Sequence, residues 1–410
     1  MKVCVVGAGA REHTLAHVLS RDTEVVVSPG NPGIPNSTVD NPEEISADLF
    51  VIGPEDPLVN GLADRLRKSG KKVFGPDSDG ARLEGSKAWM KQILNEAGVA
   101  TARHGSFTDE KQALNFHDSM GDLFVIKTDG LAAGKGVLVT EDRAEATDAV
   151  KSYLAGDAFG DAGKTVIIEE GLTGPELSVL AVCDGEQAFA LSPAQDFKRI
   201  GEGDTGPNTG GMGAYSPVPI ATQEIVDSIM EEAVSPTLVA LKKRNIDYRG
   251  VLYCGLMFTP DGVKVLEYNV RFGDPETQVV LPRLTSSLSD LLFSAASGHL
   301  VNPPTFSAEA SVTVVCAAEN YPISPKKGAV IEGIDEANEL PGVKVYCAGI
   351  DHTDKGFITS GGRVLSVTGR GENLNRARER AYEGVNMICW EGMQYRSDIA
   401  ANPTDKEKAS

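Results

Sequence analysis

Between Lys2 and Gly75 the apolar runs KVCVV, EVVV, LFVIG and KVFG alternate with loops and helical stretches. Short strands in that rhythm predict an α/β unit built on a parallel, doubly wound sheet. Gly7-Ala8-Gly9 follows the first strand as a dinucleotide fingerprint would, but Glu12 occupies the third glycine position. The second strand ends in Ser28-Pro29-Gly30 rather than in the acid that holds ribose hydroxyls. Both absences speak against a nicotinamide site.

Ser86 caps a helical stretch, SKAWMKQILNEAG, that closes on Gly98 and sets a boundary near residue 85. Residues 104 to 170 read as a small α+β subdomain. A larger unit follows, rich in strands (PELSVLAV, EQAFALS, VLYCGLMF, VKVLEYNV) and carrying a long helical segment from about 222 to 243. Pro303-Pro304 marks a linker, since neither residue continues a helix. Beyond it lies a strand-rich piece with a helix over ENLNRARERAYEGVNMICW, then a tail, ANPTDKEKAS, expected to be disordered.

A net charge of −19 argues against duplex nucleic acid or an anionic membrane as partner, so an anionic substrate must meet local lysines and arginines. The start, MKVCVVGAG, enters a strand with no secretory layout, and no run of eighteen apolar residues occurs; the expectation is a cytoplasmic protein. The six cysteines are scattered and read as core thiols rather than zinc ligands. His13 and His17 have helical i, i+4 spacing without a further ligand, so a solvated or capping role is expected.

In Val125 to Val137, VIKTDGLAAGKGV, a strand carrying Lys127 opens into a loop with Gly130, Gly134, Lys135 and Gly136. A strand lysine supplies a fixed cation, and the glycines let backbone N–H groups approach a phosphate. The run is no Walker loop, because Gly136 follows Lys135 where Ser or Thr is required. A hairpin tip with an exposed lysine is the plain alternative. In VLEYNVR, period-two alternation sets Leu266, Tyr268 and Val270 on one side and Glu267, Asn269 and Arg271 on the other. A carboxylate, an amide oxygen and a guanidinium on one face suit a hard cation that also touches phosphate, or simply form the polar face of an edge strand.

RFGDPETQ follows, with Asp274 as candidate N-cap and Pro275 at the first helical position, which would aim a helix N-terminus at the strand end. The glycine-rich stretch from Gln195 to Pro217 reads as a long loop in which Asp196, Lys198 and Arg199 could hold a zwitterion or a phosphate. The amides of Gly210, Gly211 and Gly213 could line an oxyanion site. TVIIEEGLTGPELS offers Glu169, Leu172 and Glu176 as candidates for an adenine ring and ribose hydroxyls, with a simple strand and turn as the alternative.

Taken in order, AREH at Ala10, PGNPG at Pro29, GPE at Gly53, LEGSKA at Leu83, KTDGLAAGKGV at Lys127, AFGDAG at Ala158, IEE at Ile168, GPNTGGMGAYSP at Gly206, RFGDPETQ at Arg271 and GGRVLSVT at Gly361 resemble one family. It is the phosphoribosylamine–glycine ligases (glycinamide ribonucleotide synthetases) among the ATP-grasp carboxylate–amine ligases. The resemblance implies a Rossmann-like domain at 1–84, an ATP-grasp domain at 85–303 with a lid at about 104–170, and a C-terminal domain at 304–400 before a tail at 401–410. It implies ATP-dependent joining of glycine to 5-phosphoribosylamine in purine biosynthesis through an acyl phosphate, with Mg2+ or Mn2+, by a monomer. Matched by motif, Lys87, Lys127, Gly130, Gly134, Lys135 and Gly136 face ATP phosphates, and Glu169, Leu172 and Glu176 hold adenosine. Glu267 and Asn269 match the metal ligands, Arg271 and Lys127 the groups beside the transferred phosphoryl, and Asp196, Lys198, Gly211 and Asp274 border the other substrates.

This chain departs from the family's usual residues at Thr128, Phe197, Val279 and Glu319-Asn320. The stretch between Pro29 and Gly53 is short, leaving little room for a helix at the amine-substrate side. VLYCGLMF lacks the acidic metal ligand that the wider group often supplies from that strand. Another ATP-grasp ligase, with a different carboxylate or amine, is the alternative enzyme reading. A catalytically silent nucleotide-binding regulator would have lost Lys127, Glu267, Asn269 or Arg271, and all are present.

Overall fold

The computed structural model describes residues 1–130, 136–156 and 164–403. The first sheet is parallel throughout, in the order Glu24–Pro29, Lys2–Gly7, Leu49–Ile52, Val73–Phe74. Successive residues of its first strand enter different cores. Val3 and Val5 share one with Leu15 and Leu19 of helix Ala10–Leu19, while Cys4 and Val6 share another with Leu58, Leu62 and Leu66. This is the doubly wound arrangement that buries both faces of the sheet. The second and third strands are joined through the 3-10 turn Pro42–Glu44 rather than a crossover helix, as the short sequence between them requires.

A small antiparallel sheet, His104–Phe107, Val166–Glu170, Phe124–Thr128, Val137–Thr140 in that order, packs with helices Glu110–His117 and Arg143–Ala155 around a core of its own that includes Phe124, Ile126, Val150 and Ile168. A second antiparallel sheet runs Ala188–Ala190, Glu176–Asp184, Arg249–Thr259, Gly262–Asn269. The expected helical segment is present as Gln223–Ile229, a π-helical turn Met230–Val234, and Ser235–Lys243. The wider turn falls where Pro236 has no N–H to give, and the Ser235 N–H reaches back to the Met230 carbonyl.

The glycine-rich stretch from Gln195 is not the long loop expected. It holds strands Gln195–Asp196, Arg199–Gly201, Thr205–Asn208 and Gly213–Ser216, the middle two paired with each other. The outer two begin a sheet that continues through Ala310–Ala317, Arg363–Gly371 and Val343–Cys347. Glycine here serves close approach rather than looping: a Cβ on Gly213 would stand 2.6 Å from the Thr313 carbonyl oxygen. One face of this sheet, with Val314, Val345 and Val367, shares an apolar core with Ala377, Ala381 and Val385 of helix Leu374–Met387. The alternate positions carry Ser311, Thr313, Ser366, Thr368 and Tyr346.

The histidines differ from expectation. His13 is 5% exposed, accepts the Cys347 N–H at Nδ1 (2.9 Å) and stands edge-on to Tyr346; His17 Nδ1 lies 3.0 Å from the Tyr346 hydroxyl. Their helix packs against strand Val343–Cys347, so the two rings face protein instead of water. Burial, with Lys344 adding to it, pushes His13 down to about 3 from 6.5. The neutral ring belongs to the folded state, so its contribution is complete above pH 6.5 and is lost as pH falls toward 3. We expect about 1.4 kcal/mol of lost stability per pH unit in that window. Acid unfolding of His13→Gln should show a shallower dependence, and an unchanged one would contradict this assignment.

Five cysteines are buried and Cys389 is exposed. Among the described residues no helix is long and apolar enough to cross a membrane.

Candidate active site

Strand Phe124–Thr128 carries Lys127 inward, where Nζ meets Glu169 Oε1 at 3.0 Å. Glu169, on the neighbouring strand and 2% exposed, also takes Lys91 Nζ on Oε2 at 3.1 Å. Burial opposes that carboxylate's charge, but Lys127 and Lys91 hold it below the usual range; Lys91 itself is pushed down to about 8 by burial. Glu169 is thus paired with two lysines, contacts that nothing near it in sequence reveals. Exchanging Lys91 for Met should cost about 3 kcal/mol in urea unfolding, because it uncovers one side of a buried carboxylate. An unaltered midpoint would show that the pair contributes nothing.

The base of the glycine loop is tied to the helix Lys87–Ala97. Asp129 accepts from the Ser86 hydroxyl (3.0 Å) and the Ala88 N–H (3.2 Å), and Lys87 Nζ donates to the Gly130 carbonyl at 2.8 Å. Gly130 has φ +94°, which favours glycine, and the Gly136 carbonyl accepts the Thr128 N–H. Gly134 and Lys135, like the AFGDAG motif, lie outside the described residues.

Strand Gly262–Asn269 lies antiparallel to Arg249–Thr259, with Gly255 opposite Glu267 and Leu256 opposite Val265. The extra residue, Leu266, forms a bulge, so the simple alternation of Leu266 with Tyr268 fails at that point. Beyond the bulge Tyr268 is buried and the Glu267 carboxylate turns to the cations. Its burial is outweighed by Lys198, Lys127, Lys87 and Arg271, which together hold it below the ordinary carboxylate range. The structure therefore gathers residues from four separate motifs around one ionised oxygen pair.

Arg271 is fixed by two acids outside the candidate set, Glu84 and Glu55. Its Nη2 donates to Glu84 Oε1 at 2.7 Å and its Nε to Glu55 Oε2 at 3.2 Å, with Asn269 Oδ1 at 3.4 Å. Glu84 Oε2 also accepts the Val270 N–H at 2.9 Å. Although buried, Arg271 is driven further toward its charged form by Glu84 and Glu55. The only sequence signals for this pair were the LEGSKA and GPE motifs.

Asp274 is not an N-cap: the helix starts at Thr277, its N-cap is Glu276, and it spans Thr277–Val280. The Asp274 carboxylate instead takes Arg363 Nη1 (3.3 Å) and Gln278 Nε2 (2.7 Å) and is held below its usual range despite burial, Arg363 being the main counter-charge. No helix N-terminus therefore starts at the strand end in the manner expected. Arg363, from the GGRV motif, also donates to the carbonyls of Gly210 and Asp274, and Tyr321 accepts the Gly210 N–H. Gly211, at φ +109°, abuts Pro275, where a Cβ would come within 2.5 Å of Cδ.

Asp196 and Lys198 meet Glu176: Lys198 Nζ pairs with the Glu176 carboxylate and lies 3.9 Å from Asp196 Oδ1. Burial raises the Asp196 carboxyl, Lys198 opposes this, and Glu276, Glu176 and Glu267 add to the rise. Leu172 is half-buried in the turn between strands Val166–Glu170 and Glu176–Asp184.

No group of three or more His, Cys, Asp or Glu residues able to hold a metal occurs among the described residues. The donor set is Glu267 and Asn269, a charged and a neutral oxygen beside cations that suit phosphate. It fits a hard divalent cation that completes its shell with phosphate oxygens and water, the habit of Mg2+ more than of Ca2+. Glu12, at the fingerprint-like turn, accepts the Gly9 N–H at 2.6 Å and pairs with Arg11. That amide is thus already taken, where a dinucleotide fold offers it to pyrophosphate.

Sequence profiles of the phosphoribosylglycinamide synthetase N domain, ATP-grasp (A) domain and C domain match residues 1–84, 85–277 and 311–402. The phosphoribosylamine–glycine ligase of Synechocystis sp. is 48% identical over 97% of this chain and 99% of its own length. That of Streptomyces coelicolor is 46% identical over 98% of this chain and 99% of its own. The crystal structure of the Thermotoga maritima phosphoribosylamine–glycine ligase superposes with a TM-score of 0.87 at 33% identity, covering 97% of this chain and 100% of that one. With its three domain profiles in order and its ATP-grasp architecture, the chain belongs to the phosphoribosylglycinamide synthetase family, ATP-dependent ligases of purine biosynthesis.

Proposed function

We propose that the chain joins the carboxylate of glycine to the amine of 5-phosphoribosylamine, with ATP cleaved to ADP and phosphate. The observation that carries this reading is the gathering of Lys87, Lys127, Lys198 and Arg271 around Glu267, with Asn269 Oδ1 beside Arg271. A carboxylate is a poor electrophile until one of its oxygens becomes a phosphate leaving group. In the first step that oxygen attacks the γ-phosphorus and ADP departs; in the second the amine attacks the acyl carbon, loses a proton, and phosphate departs. Phosphoryl transfer of this kind needs positioning and charge neutralisation more than an acid–base pair.

In this reading Lys87 and Lys127 hold phosphate oxygens, joined by the loop from Gly130 through Gly134, Lys135 and Gly136. Arg271, preset by Glu84 and Glu55, faces the transferred phosphoryl group. Glu267 and Asn269 hold Mg2+ or Mn2+, which when bound neutralises charge on the phosphate oxygens. Glu169, Leu172 and Glu176 border adenosine, with Glu169 also paired with Lys127 and Lys91. Asp196, Lys198, Gly211 and Asp274 border glycine and the amine substrate. The protein is proposed to work in the cytoplasm as a monomer with small-molecule substrates alone. Its chain divides into a substrate domain at 1–84, an ATP-grasp domain at 85–303 with its lid at about 104–170, and a C-terminal domain at 304–400.

The test is ADP release with ATP and Mg2+, adding glycine and phosphoribosylamine singly and together. Release that needs both supports the assignment. Release with another carboxylate or amine in their place would move the function to a different acceptor on the same fold.

A further inference from the structure

The polar face of the C-terminal sheet carries a group of cations that the proposed chemistry does not use. Ser216 stands opposite Ser311, and Ser311 opposite Arg370, on three neighbouring strands, so the three side chains form a row on one face. Arg283, 4% exposed, reaches this row. Its Nη1 donates to Ser216 Oγ (2.7 Å) and Ser192 Oγ (2.6 Å), its Nε to the Glu309 carbonyl (2.6 Å) and its Nη2 to the Ser307 carbonyl (3.2 Å). None of these partners is a carboxylate.

The surroundings add positive charge. Arg370 acts with burial to depress Arg283, to about 10, and also opposes the charge of Arg21. Arg21 reaches over from the end of the first helix to the carbonyls of Leu284 and Pro282. Lys344, Arg21 and Arg370 all oppose protonation of His17. Against these cations stand Glu309, paired with Arg370, and the exposed Asp22 beside Arg21. In a chain of net charge −19 such a local excess is unusual.

Two donors in the row lack partners. The Ser311 hydroxyl, in a residue 0% exposed, and the buried Arg370 Nε have no hydrogen bond. Ser311 lies in the register between the serine that holds Arg283 and Arg370 itself, so its hydroxyl and the guanidinium are neighbours on one face of the sheet. Buried donors are nearly always satisfied, and forked guanidinium groups with a hydroxyl are the usual readers of a tetrahedral oxyanion.

We propose that Ser311, Arg370, Arg283 and Arg21 form a phosphate-binding site at the junction of the first helix and the C-terminal sheet. Its occupant is a phosphate group, either inorganic phosphate or the end of a small phosphomonoester. Glu309, whose side chain is 40% exposed, swings toward solvent as the anion takes its place on Arg370. The segment Leu281–Arg283 continues directly from helix Thr277–Val280. The site thereby adjoins, without sharing residues with, the turn that holds Asp274.

The test is thermal unfolding of the full chain titrated with inorganic phosphate, with sodium chloride at matched ionic strength as control and glycerol 3-phosphate as a second titrant. Wild type and the active-site variant Lys127→Met are expected to show the same saturable rise in midpoint, absent with chloride. Ser311→Ala and Arg370→Gln are expected to weaken the apparent affinity about tenfold or more. Ser311→Ala removes an unpaired buried hydroxyl and so keeps or raises the phosphate-free midpoint, which separates lost binding from lost folding. A response to glycerol 3-phosphate at lower concentration identifies a phosphomonoester as the occupant; an equal or weaker one identifies inorganic phosphate. No saturable rise, or a rise undiminished in both site variants, overturns the proposal. So does a rise lost in Lys127→Met, since that phosphate would sit in the active site, and this outcome leaves the ligase assignment untouched.

Discussion

Glu267→Gln is expected to lower kcat/KM about a thousandfold or more, roughly 4 kcal/mol of transition-state stabilisation, at any Mg2+ concentration within solubility. The amide keeps the shape of the side chain and an oxygen for a metal but loses the charge. In the structure that charge balances Lys198, Lys127, Lys87 and Arg271. Without it, these four cations repel one another, and the proposed metal site loses its one anionic protein ligand at this strand. The fold should persist, because the strand is anchored by Tyr268, which is buried and bonded to Thr237 at 2.9 Å. Circular dichroism and ADP release measured side by side check both halves, and retained turnover with Mg2+ would remove Glu267 from the metal site.

Arg271→Lys should be nearly as damaging, with kcat falling about a thousandfold while KM for ATP changes little. A lysine ammonium carries the charge but cannot reproduce the fork that meets Glu84 at 2.7 Å and Glu55 at 3.2 Å. Those acids come from helices Ser78–Gly85 and Glu55–Val59, so the guanidinium is aimed by two elements other than the strand it follows. A loss confined to kcat would place Arg271 at the transferred phosphoryl group, whereas a rise in KM alone would assign it to ground-state binding.

The parts of this molecule that can be read from its sequence are those written locally. Apolar runs at Lys2, Glu24, Leu49 and Val73 become the parallel sheet because each is short enough and apolar enough to be buried on both faces. Lys127 turns inward from its strand, and Glu267, Asn269 and Arg271 stand together at the end of theirs, a grouping that residue type and spacing already suggest. What the sequence conceals is partner choice. Glu169 looked available for ribose, yet Lys91 and Lys127 approach it from a helix and a neighbouring strand. Asp274 followed by Pro275 reads as a helix start, but Arg363, far along the chain, claims its carboxylate. Dense glycine suggested a loop at Gly213, where the glycine instead admits a neighbouring strand's carbonyl. His13 looked solvated because nothing near it in sequence reveals that strand Val343–Cys347 covers its helix.

The central claim is that the cations around Glu267 serve to activate a carboxylate by phosphorylating it. Turnover of glycine labelled with 18O in its carboxylate, with the released phosphate read by phosphorus NMR, tests this directly. One carboxylate oxygen should appear in each phosphate, because the acyl phosphate breaks at its carbon–oxygen bond. Phosphate free of label would show that ATP is hydrolysed by water and that glycine is never phosphorylated, contradicting the account.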